Sequence, residues 1–113
     1  RNTCVVFGSG HKTRDYISVH DIASANLLAL ASPAGIYNIG TGVETSVNQL
    51  IQILHEITNQ KISVLHSEDR KGEIERIALS SNKAKNFLGW QPTISLREGI
   101  AEVFKWFQGQ LKR

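Results

Sequence analysis

The sequence predicts an α/β chain of short strands and three or four helices. Three observations carry that reading. Short β-rich runs, Thr3–Phe7, Tyr16–Val19, Ile36–Ile39 and Ile62–Leu65, alternate with apolar-periodic helical stretches. Two capping boxes, Ser46 with Gln49 and Ser95 with Glu98, each stand directly before such a stretch. Glycine clusters punctuate the joins. At 113 residues, 41% hydrophobic and 20% charged, the chain is expected to form one small globular domain over residues 1–113.

The first strand, Thr3–Phe7, is closed by the turn cluster Gly8-Ser9-Gly10. The alternation of Tyr16–Val19 predicts a second strand. His20 or Asp21 then caps a helix reaching about Ala31, and Asp21 favourably faces its N-terminal dipole. Pro33-Ala34-Gly35 ends it. Ile36–Ile39 reads as a third strand running into Gly40-Thr41-Gly42. Val47, Leu50, Ile51, Leu54 and Ile57 recur at helical spacing behind the Ser46 box and give that helix one buried face, with Asn59 as a left-handed cap. Ile62–Leu65 makes the fourth strand. The polar stretch from His66 to Glu75 reads as a loop. A short helix over Asn82–Leu88 stops at Gly89, and Trp90-Gln91-Pro92 crosses over in extended form because a residue before proline disfavours helix. The last helix runs from Leu96 to about Gln108, with Leu96, Ile100, Val103, Phe104 and Phe107 facing inward.

Composition excludes several classes. The longest apolar run, Ile22–Ala31, is too short to span a bilayer, so no membrane partner is expected. The single cysteine, Cys4, allows no internal disulfide and no Cys-rich zinc site; it is expected to be a small buried hydrophobe in a reducing cytoplasm. The charge of +3 and pI near 9.3 come from thirteen Lys and Arg scattered among ten acids, which argues against a nucleic-acid stripe. The chain starts at Arg1 and contains no methionine, which suggests a processed chain or a piece of something longer.

Motifs narrow the chemistry. No glycine fingerprint opens a helix after the first strand, so no complete dinucleotide site is expected. GSGHKT lacks the contiguous Gly-Lys-Thr of a P-loop. His11, His20, His55 and His66 have no paired spacing for a metal, and Glu73 and Glu75 read as a solvated pair. Two turns stand out instead: GSGHKTRDY (residues 8–16) and RKGE (residues 70–73). Each sets an arginine beside glycine, where a planar guanidinium can grip phosphate oxygens bidentately.

Taken in order, GSGHKTRDYISVHDIASANLLAL, IYNIGTGVETSVNQLI, RKGE and NKAKNFLGWQPTISLREGIAEVFKWF resemble the C-terminal third of the NAD-dependent epimerase/dehydratase family, extended short-chain dehydrogenase/reductases acting on nucleotide sugars, such as UDP-glucose 4-epimerase. The resemblance covers Val5 to Phe107. It implies that an N-terminal Rossmann domain, absent from this chain, holds NAD or NADP and the catalytic Tyr-x-x-x-Lys. Here Tyr16 is followed four residues on by His20, and Tyr37 by Thr41. The chain itself would then hold no cofactor and no catalytic residue, and would bind a nucleoside-diphosphate sugar. The resemblance assigns the diphosphate to Arg14 and Arg70, the ribose to Glu73 and the nucleobase pocket to Phe7. Glu73 replaces the family's usual aspartate and is one methylene longer. Asp15 would order its loop, while Asn38, Gly40, Trp90 and Pro92 would be architectural. The parent enzyme would be a cytoplasmic homodimer. The alternative is a non-catalytic regulatory or structural module with the same fold.

Overall fold

The computed structural model describes residues 3–32 and 34–111. In chain order the elements are β1 (Thr3–Phe7), β2 (Thr13–Arg14), α1 (Val19–Leu30), β3 (Thr45–Ser46), α2 (Val47–Thr58), β4 (Ser63–Ser67), α3 (Asn82–Leu88) and α4 (Leu96–Leu111). The α/β class is borne out, with four helices among the described residues. None of these helices is long and apolar enough to cross a membrane. The elements form two compact units. One comprises the residues up to Arg14 together with Glu44–Ile77, the other Asp15–Val43 together with the residues from Ala78 onward.

In the first unit β1 and β4 pair in parallel, from Thr3 opposite Ser63 to Phe7 opposite Ser67. Parallel strands need a crossover, and α2 lies within it. The Ser46 box forms as the sequence predicts: the Gln49 N–H donates to Ser46 Oγ at 3.1 Å, and the Ser46 N–H to Gln49 Oε1 at 2.7 Å. Asn59 terminates α2 at φ 53°, the left-handed conformation expected of it. Its apolar stripe is half-buried rather than fully buried. The fourth strand starts one residue later and ends two residues later than expected, because its register follows β1. Cys4 is exposed, contrary to expectation: in a two-stranded sheet only Val6 of β1 is buried.

The second unit is built around Trp90, 2% exposed, packed with Ala25, Ala84 and Leu88 and flanked by Ile17, Tyr37 and Ile39. The predicted strands at Tyr16–Val19 and Ile36–Ile39 do not form. In Ile36–Ile39 the alternation is real, since Tyr37 and Ile39 turn toward the core while Ile36 is 85% exposed, whereas Tyr16, Ile17 and Ser18 are all half-buried and Val19 opens α1. Among the described residues, however, no neighbouring chain supplies the ladder hydrogen bonds that define a strand. Nor do His20 or Asp21 cap α1. Ser18 does, accepting the His20 N–H at 3.2 Å. Asp21 is instead buried in the first turn, where its carboxylate accepts the Thr93 N–H at 3.0 Å, the Thr93 hydroxyl at 2.9 Å and the Ile94 N–H at 3.1 Å. Burial pushes its carboxyl up, but these donors outweigh that and hold it below the usual carboxylate range.

The helix-ending Pro33 lies outside the described residues. The short helix α3 ends as predicted at Gly89, with φ 67°. The second capping box also forms, with reciprocal Ser95–Glu98 bonds of 3.1 Å, but α4 continues to Leu111. Its expected inward face is only partly used. Leu96, Ile100 and Phe104 are half-buried, whereas Val103 and Phe107 are more than half exposed, because this small core covers less than α4's apolar stripe.

Asp15 does organise loops. Its carboxylate accepts the Thr41 N–H at 3.0 Å, the Gly42 N–H at 2.9 Å and the Leu79 N–H at 3.0 Å. Gly40 serves this close approach: a Cβ there would fall 2.7 Å from Asp15 Oδ2. Glycine is needed at that position for space.

Candidate anion-binding site

The first unit gathers all four residues singled out from the sequence. Strand β1 delivers Phe7 at its end, and the chain turns through Gly8 (φ 75°) and Gly10 (φ 83°) into β2, which carries Arg14. Both glycines have φ values that L side chains rarely adopt. They also clear space for the chain's own side chains, since a Cβ on Gly8 would meet Asp69 and one on Gly10 would meet Asn48. Asn48 returns the contact by donating Nδ2 to Ser9 O at 3.1 Å.

β2 is anchored on both sides. It pairs antiparallel with β3, Thr13 opposite Ser46 and Arg14 opposite Thr45, and the Thr13 N–H donates to Glu75 O at 2.8 Å. The Thr13 hydroxyl donates to Glu44 Oε1 at 2.6 Å, and Arg76 grips the same carboxylate through two bonds of 2.8 Å. Those bonds from Arg76, then Thr13, pull the Glu44 carboxyl from 4.5 to about 2. A folded-state value below the unfolded one contributes stability above the unfolded value, and that contribution is lost as pH falls through the folded one. Thermal melts should therefore show the wild-type chain losing stability between about pH 4.5 and about pH 2 more steeply than Glu44→Gln. Parallel profiles for the two proteins would contradict this linkage.

Arg14 is fixed by its own Nη1, which donates to Thr13 O and to Ile74 O at 2.7 Å each. Its Nη2 lies 3.8 Å from Glu73 Oε2. Arg70 arrives from the turn after β4, whose Gly72 has φ 82°. Its guanidinium sits 4.0 Å above the centre of the Phe7 ring, and its Nη1 lies 3.6 Å from Glu73 Oε1. The two arginines thus approach opposite oxygens of one carboxylate. Phe7 is 42% exposed, so it is a platform at the edge of the unit and not a core side chain. Glu73 and Glu75 are both exposed, as expected of a solvated pair, but Glu73 also faces three cations.

The third cation, Lys12, was not singled out from the sequence. Its side chain is 12% exposed, and its Nζ reaches Asp69 Oδ1 at 2.5 Å, Arg70 O at 3.3 Å and Glu73 Oε2 at 3.5 Å. The hydrogen bond to Asp69 raises the Lys12 ammonium above its usual range and lowers the Asp69 carboxyl. A signal was present: Lys12 and Arg14 are two apart at the mouth of a strand, and period two sends such side chains to the same face. Among the described residues no cluster of His, Cys, Asp and Glu could hold a metal. The arrangement is one of fixed cations around an anion.

The family model for GDP-mannose 4,6 dehydratase matches residues 1–103. A putative UDP-glucose 4-epimerase of Methanocaldococcus jannaschii is 44% identical over 104 residues, which are 92% of this chain and 34% of that protein. The crystal structure of UDP-glucose 4-epimerase from Thermotoga maritima, solved with UDP-glucose, superposes with a TM-score of 0.92 at 40% identity, over 96% of this chain and 36% of that one. The Stenotrophomonas maltophila UDP-glucose 4-epimerase, with bound NAD and formylated UDP-arabinopyranose, also reaches 0.92, at 29% identity over 97% and 36%. The chain thus spans about a third of the length of the proteins it matches. With a family model across nearly its whole length and nucleotide-sugar epimerases among its relatives in both sequence and structure, the chain belongs to the NAD-dependent epimerase/dehydratase family of nucleotide-sugar enzymes and corresponds to its C-terminal part.

Proposed function

We propose that this chain is the nucleotide-sugar-binding portion of an NAD- or NADP-dependent epimerase or dehydratase. In this reading Arg14 and Arg70 grip the substrate diphosphate, Glu73 accepts hydrogen bonds from ribose hydroxyls, and Phe7 lies beside the nucleobase. One observation carries it: the guanidinium groups of Arg14 and Arg70 converge to within 3.8 and 3.6 Å of the two oxygens of a single carboxylate. The span between the forks therefore suits one compact anion. Arg14 is already fixed by its bonds to Thr13 O and Ile74 O, so little side-chain order remains to be gained on binding.

Among the described residues, the glycine turn after β1 does not suit the nicotinamide cofactor. The glycines that follow β1 lead into β2 and not into a helix, and the room they make is filled by Asp69 and Asn48. A pyrophosphate cradle needs a glycine turn opening a helix N-terminus. Cofactor binding and proton and hydride transfer are accordingly assigned to a part of the enzyme outside this chain.

Titration calorimetry tests the reading. UDP should bind this chain at least about tenfold more tightly than uridine, because only UDP engages charge-assisted bonds of about 1.5–3 kcal/mol each. Equal affinities would remove the diphosphate clamp. Incubation of the chain alone with NAD and nucleotide sugars should give no turnover, and measurable epimerisation would overturn the division of labour.

A further inference from the structure

We propose that Glu73 is a built-in anionic plug of this site, displaced when a diphosphate enters, and that Lys12 is the third cation the diphosphate then meets. The proposal rests on the clamp reading above and concerns what occupies the clamp before its ligand arrives.

Glu73 lies among three cations without being gripped by any of them. Its distances of 3.5 Å to Lys12, 3.6 Å to Arg70 and 3.8 Å to Arg14 all exceed the length of a good charge-assisted hydrogen bond. The two arginine pairs are well exposed and contribute little at such separations, and the more buried Lys12 is held mainly by its shorter bond to Asp69. The carboxylate neutralises the nest yet is cheap to remove. The cations, by contrast, hold their places by other means. Arg14 donates to Thr13 O and Ile74 O, Lys12 to Asp69 and Arg70 O, and Arg70 lies over the Phe7 ring. Departure of Glu73 therefore leaves three positioned donors whose mutual repulsion is offset only by Asp69 and, at longer range, Glu75.

The charges facing the site fit this exchange. Lys12, Arg14 and Arg70 are opposed by Asp69, Glu73 and, at longer range, Glu75. The balance is neutral with Glu73 in place and positive once it swings out, so an incoming anion replaces a charge instead of adding one. A diphosphate supplies more oxygens than a carboxylate and can close on all three donors at once. The freed Glu73 carboxylate is then available to the ribose.

Inorganic pyrophosphate isolates this step, because it has no ribose for Glu73 to hold. Calorimetry on the whole chain at low ionic strength should find that Glu73→Gln binds pyrophosphate about tenfold more tightly than wild type and Lys12→Gln about tenfold more weakly. Binding by Glu73→Gln equal to or weaker than wild type overturns the plug, and unchanged binding by Lys12→Gln removes the third cation. If Arg14→Ala weakens binding while both Gln variants match wild type, the clamp stands and this inference fails. If neither wild type nor Glu73→Gln binds pyrophosphate, the clamp fails with it. Glu73→Asp, which draws the carboxylate back by one methylene, should tighten binding in the same direction and serves if the glutamine variant does not fold by circular dichroism.

Discussion

Trp90→Ala is expected to destabilise the second unit by about 3–5 kcal/mol, the usual cost of deleting a buried aromatic. Two independent losses combine. The indole is 2% exposed and fills the space between Ala25, Ala84 and Leu88, so truncation leaves a cavity that the small neighbours cannot close. Its N–H donates to Asp21 O at 2.9 Å and Ser24 Oγ at 3.1 Å, and both acceptors lose that partner. The effect is large against a typical domain stability of about 5–15 kcal/mol. Trp90→Phe separates the two terms: it retains most of the ring and loses the donor, and should cost about 1–2 kcal/mol. Urea unfolding followed by far-ultraviolet circular dichroism reads both, and Trp106, 59% exposed, remains as a fluorescence probe. A loss below about 1 kcal/mol for Trp90→Ala would be incompatible with this core.

The capping boxes, the Asn59 and Gly89 helix stops and the amphipathic period of α2 are local, and each was legible in the sequence because its stabilising partner lies within a few residues. What the sequence did not disclose depends on distant partners. Tyr16–Val19 and Ile36–Ile39 carry the alternation of strands, but a strand also needs a neighbour along its edge, and their own unit offers none among the described residues. Asp21 carries the signature of a cap, yet Thr93 and Ile94, more than seventy positions away, draw its carboxylate inward. The same division applies to the site. Arg14 and Arg70 were visible as fork-bearing residues in glycine turns. Their meeting at Glu73, and the presence of Lys12 beside them, follow from the parallel pairing of β1 with β4, which carries the chain beyond Ser67 back toward Gly8.

That meeting makes the functional test a strong one. Arg14→Ala and Arg70→Ala should each weaken UDP binding about ten- to a hundredfold, since each removes a charge-assisted contact of about 1.5–3 kcal/mol. The two variants should differ in kind. Arg14 is pinned by two carbonyls, so its loss also leaves Thr13 O and Ile74 O without those donors and loosens the β2 end of the site. Arg70 is held by the face of Phe7, a contact of about 0.5–1 kcal/mol at an exposed site, so its loss frees Phe7 but leaves the backbone in place. Arg70→Lys should restore little, because a point charge cannot reproduce a planar fork engaging two oxygens. Arg76→Ala supplies the control. It removes an equal charge from the same unit, but Arg76 is committed to Glu44, so UDP affinity should stay within about twofold of wild type. Were Arg76→Ala to weaken UDP as much as the other two, the binding would be a response to net charge rather than to the geometry of Arg14 and Arg70.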